Sequence, residues 1–334
     1  MKICKKCTLT DNIFSVHIND EGLCNYCAMR SKSFNNMSAE DYEKKENELM
    51  EVFHEYKHLP YQVALAYSGG KDSTFTLYKL RKKFHVSVLA VTFDNGFLTE
   101  QCRQNIHAAT AELGVDSITI KPSFSKLAKV FNLAASKEIY PKKSLERASS
   151  ICTACIGIVK STVYKEAMLR KIPFVCFGWT PGQVHVKSPV MKLDYRMLLA
   201  NQKQIQAPIT ANLGDEYKKY FIDPKWIEAL KEYVPYLAYP LAFGNYNEEE
   251  ILDTIKSIGW KKPQDTDMNS TNCLLNSYAN SIHVRDYGYN PYSLEIAGLV
   301  REGFLTREEG LKKLSVSGED SVIKYVKNEL DKYL

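Results

Sequence analysis

Residues 61–74 constrain the fold of this chain more than any other part of the sequence. Residues 61–67 form a compact apolar run that fits a buried strand. A glycine–lysine loop follows at once, and apolar residues at helical spacing begin at Phe75. The six loop residues are Ser68, Gly69, Gly70, Lys71, Asp72 and Ser73. This order predicts a strand, a phosphate-binding turn and a helix, and residues 68–73 are called the phosphate loop below.

Strand patterns and helical patterns alternate along the first two thirds of the chain. Further strands are predicted at residues 85–93, 117–120 and 173–177. This alternation predicts an α/β fold whose parallel sheet has helices on both faces. Ligands of such sheets lie at the carboxyl ends of the strands. Asp94 and Gly178 follow two of these strands, so we expect both residues to line a bound nucleotide together with the phosphate loop.

Each residue type in the phosphate loop suits an anionic ligand. Gly69 and Gly70 let the backbone approach the ligand closely and adopt positive φ. The amide groups at the start of the following helix point at the anion, and Lys71 adds a positive charge. Asp72 is placed to hold Mg²⁺ beside the phosphates. The loop differs from a Walker loop, which has four residues before its Gly-Lys pair, and an ordinary glycine-rich turn is the alternative.

Nine cysteines in a chain without a signal-peptide pattern indicate metal or redox chemistry rather than structural disulfides. Two Cys-x2-Cys pairs open the chain, with sixteen residues between them. Two pairs at this spacing can surround one tetrahedral ion, so we predict a zinc ribbon with a structural role. An iron-binding knuckle and free thiols are the alternatives. The predicted zinc ligands are Cys4, Cys7, Cys24 and Cys27.

A third Cys-x2-Cys pair, Cys152 and Cys155, precedes a predicted helix at residues 161–169. Two cysteines do not complete a metal site, and Cys273 is the candidate third ligand. Three soft thiolates suit an iron–sulfur cluster. Persulfide or disulfide chemistry, a second zinc site and a purely structural pair are the alternatives. The cysteines predicted as small core residues are Cys102 and Cys176.

The phosphate loop resembles the signature of the PP-loop, or N-type, ATP pyrophosphatases. The resemblance covers roughly residues 60–200 and implies the adenine nucleotide alpha-hydrolase (HUP-like) fold. Members of this family cleave ATP between the α and β phosphates, adenylylate a carbonyl-type oxygen and let a nucleophile displace AMP. By this resemblance the loop binds ATP and Mg²⁺, and Lys71 and Asp72 are catalytic. Several members have a Gly-His pair and a later Asp where this chain has Gly178 and Trp179.

Two branches of this family fit the remaining features. Cys152, Cys155 and Cys273 are similar to the cysteines of the thiolating branch, where three of them hold a [4Fe–4S] cluster with one iron open to sulfide. That branch implies sulfurtransferase activity with Cys152 and Cys155 catalytic, a tRNA or metabolite acceptor and a sulfur donor. Residues 1–7, 22–27, 258–260 and 303–309 instead resemble N-acetyl sugar amidotransferases of surface polysaccharide synthesis, which implies a sugar nucleotide and a glutaminase partner. A catalytically inactive ATP- and zinc-binding adaptor is the third hypothesis.

Four segments are predicted along the chain. They are a zinc ribbon at 1–30, a linker helix at 31–58, a PP-loop ATP pyrophosphatase domain at 59–225 and a mostly helical C-terminal region at 226–334. Ser38 with Asp41, and Thr306 with Glu309, are candidate capping boxes at helix starts.

The composition of the 334 residues is that of an ordinary globular protein, with 45% hydrophobic and 25% charged residues. No apolar run reaches the length of a membrane span, so we expect a cytoplasmic protein with no membrane partner. The net charge of +5 allows an anionic substrate but does not require nucleic acid. PP-loop enzymes are often dimers, so the resemblance is compatible with a homodimer. Weaker candidates for contacts with an anionic substrate are His185, Lys187, His283 and Arg285.

Overall fold

The computed structural model describes residues 1–33, 38–184, 188–244, 246–267, 269–315 and 318–334. Within these ranges, a six-stranded, mostly parallel sheet forms the centre of the fold. The strands are β1 (Val63–Ala66), β2 (Val88–Phe93), β3 (Asp116–Ile120), β4 (Phe174–Phe177), β5 (Val190–Lys192) and β6 (Tyr236–Ala238). The α-helices are α1 (Asn25–Ser33), α2 (Ala39–His54), α3 (Lys71–Tyr78), α4 (Glu100–Leu113), α5 (Phe124–Ser136), α6 (Lys142–Leu145), α7 (Ser150–Leu169), α8 (Tyr195–Leu213), α9 (Pro224–Ala229), α10 (Glu248–Lys256), α11 (Leu275–Tyr287), α12 (Ser293–Glu302), α13 (Arg307–Ser315) and α14 (Asp320–Asp331).

The strand order is β3-β2-β1-β4-β6-β5, which places β1 and its phosphate loop inside the sheet. The first five of these strands are parallel, and β5 pairs antiparallel with β6 at the edge. Strands β2 and β4 are buried along their whole length, as expected for strands covered on both faces. Strands β2 and β3 are added in turn on one side of β1, and β4 then pairs with β1 on its other side. This reversal leaves a crevice at the carboxyl ends of β1 and β4, where such sheets bind ligands.

Helices cover both faces of the sheet. Val63 and Leu65 of β1 belong to a core that includes residues of α2, α3, α4 and α10. Ala64, between them, belongs to a second core with residues of α7, α8 and α9. Successive side chains of a strand point to opposite faces, so one short strand supplies both cores. The predicted α/β fold with helices on both faces is therefore confirmed.

The N-terminal cysteine segment packs on the C-terminal helices. The four N-terminal cysteines share a buried cluster with Leu294 and Ala297 of α12. Arg307 of α13 donates hydrogen bonds to the backbone carbonyl groups of Cys4 (3.2 and 3.3 Å) and Cys7 (3.1 Å). These contacts join the first and the last parts of the chain.

Both predicted capping boxes are present. Ser38 and Asp41 exchange side-chain and backbone hydrogen bonds at the start of α2. Thr306 and Glu309 do the same just before and within α13. Each box satisfies amide groups that a helix start leaves without intrahelical partners.

The prediction that Cys152 and Cys155 precede their helix was wrong, because α7 begins at Ser150 and contains both residues. The side chain of Ser149 accepts a hydrogen bond from the Cys152 amide and caps the helix at this point. Ile151 is fully buried next to the pair, which extends the apolar face of the helix to its first turn. Both thiols therefore have fixed positions on a 20-residue helix.

Strand β6 lies after the domain boundary predicted at residue 225, and it pairs with β4 in the parallel sheet. The sequence pattern does not predict β5 or β6, because each has only three residues and shows no period of two. The C-terminal part of the described chain is otherwise helical, from α10 to α14.

Among the residues that the structure describes, no helix combines the length and the apolar character that crossing a bilayer requires.

Candidate active site

The phosphate loop connects β1 to α3 at the carboxyl end of the sheet. Gly70 is the N-cap residue of α3 and has no side chain to cap the helix. The first amide groups of a helix lack intrahelical partners, and helix starts bind anions for this reason; here the Lys71 amide donates to the Thr271 hydroxyl at 2.8 Å. The Ser68 and Ser73 hydroxyl oxygens lie 3.0 Å apart across the loop. The local geometry is that of an anion site at a helix start.

Two glycines of this region have no room for a side chain. Gly69 has a φ of +72°, and a Cβ there would lie 2.7 Å from Ile106 Cγ1 and 2.8 Å from Cys102 Sγ. A Cβ on Gly178, just after β4, would lie 2.6 Å from the amide nitrogen of Ser73. Gly178 therefore packs directly against the start of α3. A nucleotide bound at this point would meet backbone atoms from two neighbouring strands.

Gly69→Ala and Gly114→Ala form a matched pair, because both glycines have positive φ, +72° and +58°. A Cβ on Gly114 would meet nothing within 4 Å, so we expect the strain alone to lower the free energy of unfolding by about 1–2 kcal/mol. Gly69→Ala adds the collisions with α4. It should therefore lower the free energy of unfolding further than Gly114→Ala does, and it should abolish ATP turnover. Urea unfolding and AMP release measure the two effects. Equal losses of stability and turnover in both variants would contradict this reading of the loop.

Lys71 lies buried in a network of polar side chains. Its Nζ donates to Asp72 Oδ1 at 2.9 Å and to the Tyr246 hydroxyl at 2.7 Å, and it lies 3.8 Å from Glu248 Oε1. Burial alone would lower the pKa of Lys71, but the charges of Asp72 and Glu248 outweigh it and raise this pKa above its ordinary value. Lys71 is therefore a fixed positive charge beside the loop. The Asp72 side chain is 28% exposed, which leaves it accessible as an oxygen ligand for Mg²⁺.

Glu295 of α12 holds the segment that follows β4. Its two carboxylate oxygens accept hydrogen bonds from Thr180 Oγ1 at 2.9 Å and from Gln183 Nε2 at 3.0 Å. Burial raises the pKa of Glu295 to about 7, although both hydrogen bonds favour the charged form. The resemblance implies a His and an Asp near this strand end. This chain instead places a carboxylate from a distant helix there.

The raised pKa of Glu295 predicts a pH dependence of stability. The folded protein binds this proton more tightly than the unfolded chain does, so the contribution of Glu295 is greatest below pH 4.5 and is lost as the pH rises to about 7. Relative to Glu295→Gln, the wild type should lose about 3 kcal/mol of unfolding free energy over this range. Urea unfolding of both proteins at pH 5 and pH 8 gives the difference. Parallel pH profiles would show that Glu295 titrates normally.

Cys152, Cys155 and Cys273 lie around two asparagine side chains. Asn95 Nδ2, just after β2, donates to Cys155 Sγ at 3.6 Å and to Cys273 Sγ at 3.3 Å. Asn276 Nδ2 donates to Cys152 Sγ at 3.8 Å. The Asn95 side-chain amide therefore contacts both Cys155 of α7 and Cys273, which is distant from it in sequence. The fold brings together the three cysteines that the sequence selected.

The residues next to Cys273 contact the phosphate loop and the segment after β2. The Thr271 hydroxyl accepts a hydrogen bond from the Lys71 amide at 2.8 Å. Cys273 forms an antiparallel bridge with Leu98, and the Leu274 amide donates to the Phe97 carbonyl at 2.9 Å. This short pairing fixes the backbone of Cys273, two residues after the Thr271 that contacts the phosphate loop.

The sulfurs of Cys152, Cys155 and Cys273 do not all lie within 4.8 Å of one another, so they are too far apart to share one tetrahedral ion. Zinc–sulfur bonds of about 2.3 Å put the sulfurs of a tetrahedral site about 3.8 Å apart. In the described ranges, only the four N-terminal cysteines bring three or more metal-binding atoms within 4.8 Å of one another. A [4Fe–4S] cluster binds each thiolate through a different iron, so its ligands lie farther apart. Burial raises the pKa of all three thiols, to about 11 for Cys152, and a bound metal would stabilise the thiolate form.

The four N-terminal cysteines fit one tetrahedral metal ion. All four are buried, and their sulfurs lie within 4.8 Å of one another. The Cys24 amide donates to Cys4 Sγ at 3.3 Å, and the sulfurs of Cys7 and Cys24 are 3.6 Å apart. Hydrogen bonds from Cys27 and Cys7 lower the pKa of Cys24 to about 4. Arg301 donates to Cys7 Sγ at 3.8 Å, which offsets part of the negative charge of four thiolates.

Asp94 lies at the predicted strand end and is buried in local contacts. Its Oδ1 accepts a hydrogen bond from the Gly96 amide at 2.8 Å. Its Oδ2 lies 3.4 Å from Arg103 Nη2 and 3.7 Å from Lys121 Nζ. The carboxylate therefore shapes the turn that places Asn95 near the sulfurs.

The remaining candidate residues lie in several places. Cys102 and Cys176 are fully buried, and Cys102 Sγ donates to the Ser68 carbonyl oxygen at 3.0 Å. His283 is buried with neither ring nitrogen hydrogen-bonded within the described ranges, and the exposed Arg285 pairs with Asp286 at 2.7 Å. His185 and Lys187 lie outside the described residues.

Sequence reasoning did not select several side chains of this site. Two of them could have been selected from the sequence. Asn95 follows the strand-end aspartate, and Asn276 lies three residues after Cys273. Tyr246, Glu248 and Glu295 come from distant segments, and no local pattern marks them. Only the packing of α10 and α12 against the phosphate loop brings them to the site.

No protein-family model matches the chain. An uncharacterized protein of Methanocaldococcus jannaschii is 25% identical over 276 residues, which cover 82% of this chain and 80% of that protein. The name of this relative states no reaction.

Several solved structures are similar to the chain. The U34-tRNA thiolase NcsA from Methanococcus maripaludis with its [4Fe–4S] cluster is 16% identical, with a TM-score of 0.37 and coverage of 98% of this chain and 97% of that one. NMN synthetase from Francisella tularensis is 12% identical, with a TM-score of 0.39 and coverage of 88% and 96%. NH3-dependent NAD synthetase from Campylobacter jejuni is 14% identical, with a TM-score of 0.36 and coverage of 88% and 95%.

These neighbours are PP-loop and NAD synthetase-like proteins, the group that the phosphate loop predicted. Their TM-scores are below 0.5, so the assignment of the fold rests on the strands and helices of this chain. The phosphate loop follows an inner strand of a mostly parallel sheet, and helices cover both faces. The chain thus has the α/β architecture expected of the adenine nucleotide alpha-hydrolases.

Proposed function

We propose that this protein is an enzyme that activates an oxygen of its acceptor with ATP and then replaces this oxygen with sulfur. In the first step, the acceptor oxygen attacks the α-phosphorus and the bond to pyrophosphate breaks. In the second step, inorganic sulfide attacks the acceptor carbon, and AMP leaves with the original oxygen. The observation that carries the proposal is the position of Cys273. Two residues before it, Thr271 accepts a hydrogen bond from the phosphate loop. The Asn95 side chain donates hydrogen bonds to the sulfurs of both Cys273 and Cys155.

The phosphate loop supplies the binding groups for ATP in this proposal. The amides at the start of α3 and the ammonium group of Lys71 face the phosphates. Asp72 would hold Mg²⁺, which neutralises charge on the departing pyrophosphate when bound. Gly69, Gly70 and Gly178 keep side chains away from the backbone at this point. Asp94, at the end of β2, lies on the side of the loop proposed for the nucleoside.

Cys152, Cys155 and Cys273 would hold a [4Fe–4S] cluster. When bound by three cysteines, such a cluster supplies an iron with a free position that can carry sulfide. Asn95 and Asn276 orient the three sulfurs and donate hydrogen bonds to them. Such hydrogen bonds also tune the reduction potential of a cluster. We assign zinc to the four N-terminal cysteines, in a closed structural site.

Sugar amidotransfer is the competing function. It uses the same activation by ATP but takes ammonia as the nucleophile, so it requires no thiolate beside the loop. The grouping of three half-buried sulfurs around two asparagine amides supports sulfur transfer instead. Sugar amidotransfer requires a sugar as the acceptor, whereas sulfur transfer is compatible with a tRNA or a small molecule.

The test is product analysis with anoxically reconstituted protein. Bulk tRNA and UDP-N-acetylglucosamine serve as acceptors, each with sulfide or with ammonium. We expect acceptor-dependent formation of AMP and pyrophosphate in equal amounts, and incorporation of labelled sulfide. Release of ADP and phosphate would contradict the activation step. AMP formation that requires ammonium and ignores sulfide would assign the protein to the amidotransferases.

A further inference from the structure

A cavity of about 530 Å³ lies between α7 and α8. This volume is within the range of small-molecule binding pockets. The residues that line it from α7 recur at helical spacing, so one face of the helix forms a wall. These residues are Thr153, Ile156, Gly157, Lys160, Ser161 and Tyr164.

The cavity adjoins the phosphate-loop side of the proposed reaction site. Glu295 lines it, and the same residue lines a smaller cavity of about 40 Å³ together with Lys71 and Asp72 of the phosphate loop. Thr153 lines the cavity from the first turns of α7, but neither cysteine of this helix does. A molecule in the larger cavity would therefore lie next to Glu295 and the phosphate loop.

The cavity contains a cation without a counter-ion. Lys160 Nζ lies 5.1 Å from the centre of the Trp179 ring, and in the part of the chain that the structure describes it has no hydrogen-bond or ion-pair partner. Burial lowers the pKa of Lys160. The Thr153 hydroxyl is buried and unpartnered within the described ranges. A buried hydroxyl without a partner and a half-buried cation without a counter-ion are both unfavourable, and an anionic ligand would satisfy them.

The rest of the lining is apolar or uncharged, apart from Glu295 and Arg147. Leu193, Leu237 and Tyr239 contribute apolar surface, and Gln202 contributes an amide that is already bonded to Ser161 and to backbone groups. Nucleic acids require many cationic contacts to phosphates, and the lining residues offer two cations, Lys160 and Arg147. Two cations beside mostly apolar surface suit a small molecule with an anionic group.

We propose that this cavity is the acceptor pocket and that it binds a small ring compound, such as a monosaccharide, whose phosphate or carboxylate group pairs with Lys160. The role as acceptor pocket rests on the proposed function. The binding site itself depends only on the cavity and on the Lys160 amine, which is half-buried against Trp179. The acceptor oxygen would then lie toward Glu295 and the phosphate loop.

Pyridoxal 5′-phosphate is a suitable probe, because it is a ring compound with a phosphate and an aldehyde. The neutral amine of a lysine condenses with the aldehyde and releases water, and borohydride reduces the imine to a stable amine that peptide mass spectrometry locates. We expect Lys160 of the reconstituted protein to be labelled at least about 5-fold faster than Lys165, since buried lysines lose their proton more readily. Lys165 is the matched control, because it lies on the same helix over the Trp226 ring, which is 46% exposed. Equal labelling rates would overturn the proposal.

Competition identifies the anionic group. N-acetylglucosamine 1-phosphate tests the phosphate, N-acetylneuraminate tests the carboxylate, and neutral N-acetylglucosamine is the control. The proposal is supported if either anion protects Lys160 from labelling at a concentration at which the neutral sugar does not. The anion that protects then identifies the anionic group that the pocket binds. Protection by bulk tRNA alone, or by none of these compounds, would overturn it. Labelling requires neither ATP nor sulfide, so a failure of the activation chemistry does not affect this result.

Discussion

The Cys273→Ser protein is expected to contain almost no iron or acid-labile sulfide after anoxic reconstitution, whereas the wild type should bind about four irons. Only two thiolates would remain, and a serine oxygen is a poor ligand for the soft iron sites of a cluster. The zinc content should stay at one ion per chain, because the four N-terminal cysteines form a separate buried group. Metal analysis and the visible absorption spectrum measure the change.

Cys176→Ala is the matched control for this loss. Cys176 is fully buried, whereas Cys273 is half-buried, and the Cys176 thiol belongs to the core of the sheet within β4. This variant should keep its iron and lose only the stability that a small cavity costs, about 1 kcal/mol. Unchanged iron in the Cys273→Ser protein would contradict the cluster assignment. Loss of iron in both variants would point to a general folding defect.

Lys71→Met is expected to lower the rate of AMP formation by at least about 100-fold, as the removal of one charge-stabilising donor does in other active sites. The Lys71 ammonium group is buried beside the start of α3, where the phosphates would bind. Without the Lys71 ammonium group, Glu248 still has a cationic partner, since Lys313 Nζ lies 2.8 Å from Glu248 Oε2. The fold should therefore survive the substitution. Quenched-flow measurement of AMP and calorimetry of ATP binding separate the effects on turnover and on affinity.

Lys313→Met provides the comparison, because Lys313 holds the other side of the same carboxylate. This variant removes an equal charge from the network but leaves Lys71 at the phosphate loop. We expect its turnover to fall by less than about 10-fold, as for a partly exposed ion pair. A loss as large as that of Lys71→Met would show that the network as a whole, rather than the position of one ammonium group, supports turnover.

The sequence predicted the parts of the fold that depend on local patterns. The buried strand before the phosphate loop, the glycines of the loop and both capping boxes follow from residue type and spacing over a few positions. The pairs of cysteines are recognisable for the same reason. The start of α7 was missed because the pattern at Cys152 gives no sign that Ser149 caps the helix three residues earlier.

The side chains that complete the site depend on long-range packing. Glu295 reaches the segment after β4 because Gly182 and Gly298 allow close approach, and a Cβ on Gly182 would lie 2.2 Å from the Glu295 carbonyl oxygen. No local pattern predicts that a helix 112 residues later supplies the carboxylate that binds Gln183. The cavity beside α7 is equally nonlocal, because α8 forms its second wall and approaches Gly157 through Ile205.

The two cysteine sets differ in how much of the chain each one needs. The first set lies within residues 4–27, whereas the second spans residues 152–273 and is closed by the pairing of Cys273 with Leu98. Chains emerge from the ribosome with the N-terminus first. A nascent chain therefore contains the complete first set before any strand of the sheet has been synthesised, but the second set is complete only when most of the protein exists. If both sets bind metal as proposed, translation sets the order in which they can acquire it.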